Sequence, residues 1–157
     1  MIKYIFSLTI IFSASLCAAQ IQGHVIRVLD GDTLEILQDK KPVRVRLANI
    51  DAPEKKQPFG RWSATQLKDL VAGKPVTVQY AQTDRYGRIL GRVYTADGTE
   101  ANRWQVRNGA AWVYPDYNND YTLPPLQRDA RALKRGLWAD KNPVPPWTWS
   151  CLLYTSP

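Results

Sequence analysis

The stretch VLDGDTLEILQDKKPVRVRLANIDAPE, residues 28–54, sets the architecture of this chain and concentrates its chemistry. Two hydrophobic runs, Leu34–Leu37 and Val43–Leu47, flank the polar connector Gln38–Pro42, the pattern of a β-hairpin. A hairpin returns its two ends to one place. Asp30 and Asp32 enter its first strand, and Asp51 and Glu54 follow its second. Carboxylates distant in sequence are therefore expected to meet, with an arginine between them. Hard oxygen ligands beside cations suit a divalent metal ion and a phosphate. Val43, Val45 and Leu47 alternate with Arg44 and Arg46, so if the valine side faces the core, Arg46 points away from it and is free to meet a phosphate.

Upstream, Gly23–Leu29 alternates loosely and reads as a strand broken by Asp30-Gly31. Downstream, Pro58–Gly73 takes a helical period, with Phe59, Trp62, Leu67, Leu70 and Val71 on one side and Arg61, Thr65 and Lys68 opposite. Those apolar residues are expected to pack on the sheet. Two further strands, Pro75–Gln82 and Ile89–Thr95, are joined by Thr83–Arg88, a turn carrying Arg85, Tyr86, Gly87 and Arg88. Glu100–Asn108 reads as a short helix, Ala110–Tyr114 as a brief apolar piece, and Pro115–Leu123 as a loop rich in Tyr, Asp and Asn. A last helix is expected over Pro125–Lys134, and the proline-rich Asp140–Trp149 is expected to be extended. The terminal Ser150–Pro157 fits nothing before it, resembles a translated vector or adapter end, and is left out of the fold reasoning. Three strands, a helix, two strands and helical pieces make an α+β chain, mainly β with about three helices. That order is what a five-stranded Greek-key barrel of the OB type requires.

The length of 157 residues allows one domain with a real core. Residues 1–19 resemble a secretory signal: Lys3, the apolar Tyr4–Cys17, then small residues before Gln20. The run is short for a membrane-spanning anchor, and bulky Leu16 disfavours lipid attachment at Cys17. Removal after Ala19 is expected, leaving residues 20–140 as the domain and 141–157 as a Pro/Trp-rich tail. The formal charge of +7 then falls to +6, since only Lys3 is lost, and a basic surface suits nucleic acid. Cys151 becomes the single cysteine, so no internal disulfide forms, and cysteine- or histidine-rich metal sites are excluded.

These motifs, in this order, resemble the staphylococcal (thermonuclease-like) nucleases, secreted calcium-dependent enzymes built on an OB-fold. The resemblance spans about Gly23–Trp138 and rests on Asp30-Gly31-Asp32-Thr33, Arg46-Leu47, Ile50-Asp51-Ala52-Pro53-Glu54, Asp84-Arg85-Tyr86-Gly87-Arg88, Asn102 with Val106–Ala110, and Gly136-Leu137-Trp138. It implies that Asp32, Asp51 and the Ala52 backbone carbonyl bind Ca²⁺, with Asp30 behind them. It implies that Arg46 and Arg88 grip the scissile phosphate and that Glu54 serves the attacking water. Arg85 and Tyr86 would contact the nucleotide, and Tyr114 and Tyr117 would stack on bases.

The activity so implied is hydrolysis of DNA and RNA, favouring single strands, at the 5′ P–O bond to leave 3′-phosphates. The enzyme would be a monomer, secreted or periplasmic. Two other readings compete: a non-catalytic OB-fold module binding single-stranded nucleic acid, and a basic structural protein of the envelope.

Overall fold

The computed structural model describes residues 18–155, so the expected leader lies outside the described residues except for Ala18 and Ala19. In chain order the elements are β1 (Ala19–Asp30), β2 (Thr33–Gln38), β3 (Lys41–Leu47), β4 (Ile50–Asp51), α1 (Gly60–Val71), β5 (Pro75–Thr83), β6 (Ile89–Thr95), α2 (Ala101–Arg107), β7 (Trp112–Val113) and α3 (Leu123–Ala132). A 3₁₀ turn (Gly136–Ala139) and α4 (Pro146–Thr155) complete the chain. Five strands close into a barrel in the order β1-β2-β3-β6-β5, as the strand and helix order predicts. β4 and β7 form a separate two-stranded ribbon that the sequence reading did not foresee.

The barrel closes because β1 serves two neighbours. Its first half, from Ala19 to His24, pairs with β5, and its second half, from His24 to Asp30, pairs with β2. Register shifts at Val25/Arg27 and Val28/Asp30 bend it between them. This strand starts earlier than expected because polar Gln20 and Gln22 are masked as strand formers yet satisfy their backbone on β5. The hairpin between β2 and β3 turns on only Asp39 and Lys40, with φ of 47° and 64°. Positive φ at both positions gives the twist that matches two paired strands. Leu34, Ile36, Val45 and Leu47 from this hairpin are fully buried with Val78, Val93 and, from α1, Leu67 and Val71.

The apolar side of α1 divides between two clusters. Leu67, Leu70 and Val71 join the barrel core. Phe59 packs instead with Leu137 and Trp138, and its ring meets Trp62 edge-on at 6.1 Å. A Cβ on Gly136 would overlap both the Trp62 ring and the Gly109 carbonyl, and Gly136 has a φ of 51°. Leu137 N–H donates to the Gly109 carbonyl at 2.9 Å, so the Gly136-Leu137-Trp138 motif marks a backbone-on-backbone contact.

Asp140–Trp149 departs from its expected extended form at Pro146, where α4 begins. Proline is compatible with a first helical turn, where its missing N–H would have no partner anyway. In this helix, Leu152, Leu153 and Tyr154 are exposed, so the terminal segment adds nothing to the core. Among the described residues, no helix is long and apolar enough to cross a membrane.

Fully buried Asn102 ties α2 to the barrel where β3 leaves it. Its Oδ1 accepts the Val93 N–H at 3.1 Å, and its Nδ2 donates to the Ala48 and Gly91 carbonyls at 2.9 and 3.1 Å. Asn102→Ala is expected to destabilise the protein by about 2–4 kcal/mol, because buried backbone groups lose their partners. Urea unfolding measures this, and a loss below about 1 kcal/mol would contradict the assignment.

Candidate active site

The antiparallel register places Thr33 opposite both Asp30 and Arg46, so the two ends of the quoted stretch converge. Between Asp30 and Asp32 the chain turns at Gly31, where a Cβ would overlap the Ser63 hydroxyl of α1. Buried Gln105 of α2 donates to the Gly31 carbonyl at 2.6 Å and to the Ser63 carbonyl at 3.1 Å. The acidic turn is thus pressed onto two helices. Asp30 Oδ1 accepts the Asp32 N–H at 3.1 Å. Asp32 accepts the Thr33 hydroxyl at 3.0 Å and the Ala52 N–H at 2.6 Å. Asp51 is brought up by its pairing with Trp112 in the β4–β7 ribbon.

Arg46 sits at the centre of these groups. Its Nη2 lies 3.0 Å from Asp51 Oδ1 and 3.3 Å from Asp32 Oδ2, and its Nη1 donates to the Leu47 and Ile50 carbonyls, each at 2.8 Å. Its side chain does turn away from the barrel core, into a carboxylate cluster rather than open solvent. One guanidinium faces three carboxyls. Burial, followed by the Asp32 charge, pushes both Asp30 and Asp51 up to about 7. Burial also opposes ionisation of Asp32, but Arg46, Asp30, and the bonds from Ala52 and Thr33 outweigh it and hold its pKa down.

A cavity of about 780 Å³ opens from Arg46. Arg85, Tyr86, Arg88, Tyr114 and Tyr117 line it, so six of the expected site residues share one space. Asp84 organises the turn above: its Oδ1 accepts the N–H groups of Tyr86 and Arg88 at 2.9 and 3.0 Å, and its Oδ2 pairs with Arg88 Nε at 2.6 Å. Burial raises the Asp84 pKa, but those bonds to Arg88 and Tyr86 lower it on balance. Arg85 and Arg88 lie against the exposed Tyr86 ring, at 4.9 and 5.5 Å from its centre. Tyr114 and Tyr117 touch at 4.7 Å, and Trp147 stacks on Tyr114 at 5.1 Å with the rings 2° from parallel. Burial, then the Asp51 charge, raises the Tyr114 pKa.

Glu54 is exposed and stands apart from the cavity wall, with Ser150 Oγ donating to its Oε1 at 2.5 Å. The sequence reading missed Asp84, Arg92, Gln105 and Trp147. Asp84 carried a findable signal, an aspartate three residues before glycine in a turn. Arg92, a further cation on the cavity wall, pairs with Asp120 at 3.3 Å and looks like any strand arginine in sequence.

Buried carboxyls in excess over positive charge have a consequence for stability. A carboxyl whose folded pKa lies above its unfolded value binds its proton more tightly in the native state, so the stability it adds is present at low pH and lost as pH rises. Asp30 and Asp51, at about 7 against an ordinary 3.8, place that loss between about pH 4 and 7. With chelator present, the midpoint of thermal unfolding is expected to fall across this window. Asp30→Asn is expected to flatten the fall, and a midpoint that rises with pH through the window in both proteins would refute the cluster's electrostatics.

The profile of the Staphylococcal nuclease homologue family matches residues 44–140. An "Uncharacterized endonuclease" of Escherichia coli is 60% identical over 147 residues, covering 94% of this chain and 96% of that protein. A "Micrococcal nuclease" of Shigella flexneri is 40% identical over 141 residues, covering 83% and 81%. "Protein ParB" of Escherichia coli is 38% identical over 159 residues, covering 95% and 90%. With the closed barrel, the clustered carboxylates and the arginine-lined cavity in place, the chain belongs to the staphylococcal nuclease family.

Proposed function

We propose that this protein is a calcium-dependent endonuclease that hydrolyses DNA and RNA with little sequence preference, cutting the 5′ P–O bond and leaving 3′-phosphates. One observation carries this: a cavity lined by Arg46, Arg85, Arg88 and Arg92 ends, through Arg46, in a cluster of carboxylates that one guanidinium does not neutralise. Such a cluster fits a divalent cation. Among the described residues, no three His, Cys, Asp or Glu side chains are arranged to hold a metal by themselves. Asp32 and Asp51 with the Ala52 carbonyl leave other positions to water and phosphate oxygens, which suits the six to eight oxygens Ca²⁺ takes. Bound there, Ca²⁺ would supply Lewis-acid polarisation of the phosphodiester. Asp30, bonded to the Asp32 N–H, would orient that ligand.

The chain's own groups account for the rest. Arg46 and Arg88 offer paired N–H donors to the phosphate oxygens, whose charge grows toward the transition state. Asp84 holds Arg88 in place before substrate arrives. Glu54 takes the proton of the attacking water. Tyr86, exposed between two arginines, and Tyr117, 70% exposed, offer ring faces to the bases of a single strand. The leader Met1–Ala19 would direct the protein out of the cytoplasm, to act as a monomer in the periplasm or the medium.

Purified protein on a single-stranded oligonucleotide, with calcium or with chelator, tests the reading. Calcium-dependent cleavage is expected. Binding without cleavage would make the protein a single-strand binder instead. Arg46→Ala and Arg88→Ala are each expected to lower kcat by about 10²-fold or more, with a smaller change in affinity for an uncleavable oligonucleotide. Glu54→Gln is expected to lower kcat by about 10²-fold while leaving or improving binding, since it removes negative charge. If Glu54→Gln cut as fast as the parent, Glu54 would have no part in proton transfer.

Binding to the same oligonucleotide is also expected to weaken linearly on a log–log plot against salt, because phosphates supply the contacts. A flat salt response with strong sequence preference would overturn that reading.

A further inference from the structure

We propose that the C-terminal strap, Val144–Trp147, positions the catalytic carboxylate through Gln57. This rests on the role given above to Glu54.

Gln57 is buried, 6% exposed, and its amide joins two segments that are far apart in the chain. Its Oε1 accepts the Glu54 backbone N–H at 3.2 Å, and its Nε2 donates to the Val144 carbonyl at 2.6 Å. Its own N–H donates to the Glu54 carbonyl at 2.8 Å, and its carbonyl accepts the Gly60 N–H at 2.9 Å. The turn is tight, since a Cβ on Gly60 would overlap the Glu54 carbonyl. Glu54 is thereby fixed at its backbone, and the fixed point is tied to the strap.

The strap is anchored in turn on the other wall of the site. Trp147 stacks on Tyr114 and meets Trp112 edge-on at 5.7 Å. Trp112 pairs with Asp51 in the β4–β7 ribbon. One short segment therefore touches the loop of the proton acceptor and the elements that carry Asp51 and Tyr114. Besides these backbone bonds, exposed Glu54 accepts a side-chain bond from Ser150 Oγ, and a general base works only within hydrogen-bond reach of its water. Small misplacements cost large factors in rate. Gln57 and Trp147 are positioning residues in this scheme, acting on the reaction through Glu54 and Tyr114.

The experiment uses the full chain with single-stranded oligonucleotide and calcium, in a cycle of Gln57→Met, Glu54→Gln and the double variant. Gln57→Met keeps the side-chain length and removes both amide bonds. It is expected to lower kcat about tenfold or more, with KM within about threefold. In the Glu54→Gln background the same change is expected to alter kcat by less than about twofold, because the residue it positions is already disabled. Hydrogen exchange at the Glu54 amide is expected to accelerate in Gln57→Met. Equal losses in both backgrounds would make Gln57 a merely structural residue and overturn the proposal, as would unchanged exchange. Should Gln57→Met fail to fold by circular dichroism, Gln57→Asn, polar but too short to span both partners, carries the same test. A parent protein that never cleaves would overturn the nuclease reading, while the exchange rate would still decide whether the strap holds Glu54.

Discussion

A single guanidinium shared among buried acids governs this structure. Arg46 bonds two carboxylates and two backbone carbonyls from a side chain only 13% exposed. The carbonyl bonds hold the bend by which the chain leaves β3 and enters β4, and so they fix where Asp51 lies. The carboxylate bonds keep Asp32 ionised at the expense of Asp30 and Asp51, whose pKa values rise to about 7. In a region of low dielectric, like charges at close range cannot all be carried by one cation. The same imbalance makes the cluster costly to bury. A small barrel thus holds at one end charge that it does not balance itself.

The cavity walls follow from strand order. Parallel pairing of β3 with β6 sets Arg46 beside Leu90, which brings the Asp84–Arg88 turn over the guanidinium. Asp84 then fixes the direction of Arg88 at the expense of one negative charge on the cavity wall. On the far side, the β4–β7 ribbon and the strap bring up Trp112, Tyr114 and Trp147. Aromatic rings there are packed against each other, with Tyr114 held between Trp147 and Tyr117, while the Tyr117 ring itself stays exposed.

Much of this was legible in the residues. The alternation Val43-Arg44-Val45-Arg46-Leu47 announced a strand with arginines on one side, and the helical period from Phe59 announced α1. The acids at both ends of one hairpin announced their own convergence. Other features were illegible for definite reasons. β1 begins at Ala19, where alternation of glutamine and isoleucine competes with the pattern of a leader. β4 and β7 are two residues long, too short for any period to show. α4 begins at a proline, which reads as a break unless the first helical turn is already known to start there.

By itself, the sequence determined which groups are available: carboxylates at both ends of one hairpin, guanidiniums beside them, and a strand order that closes a barrel. Local periodicity and hairpin closure require only neighbours in the chain, so they can be read from it. The tertiary structure decided how those groups are paired. Arg46 meets Asp32 and Asp51, Asp84 captures Arg88, Gln57 reaches Val144, and Trp147 lies on Tyr114. The first two pairings needed the pleat and turn geometry, and the last two join segments that no local period connects. Such contacts arise only when the core has excluded water and set the distances, and no spacing along the chain encodes them.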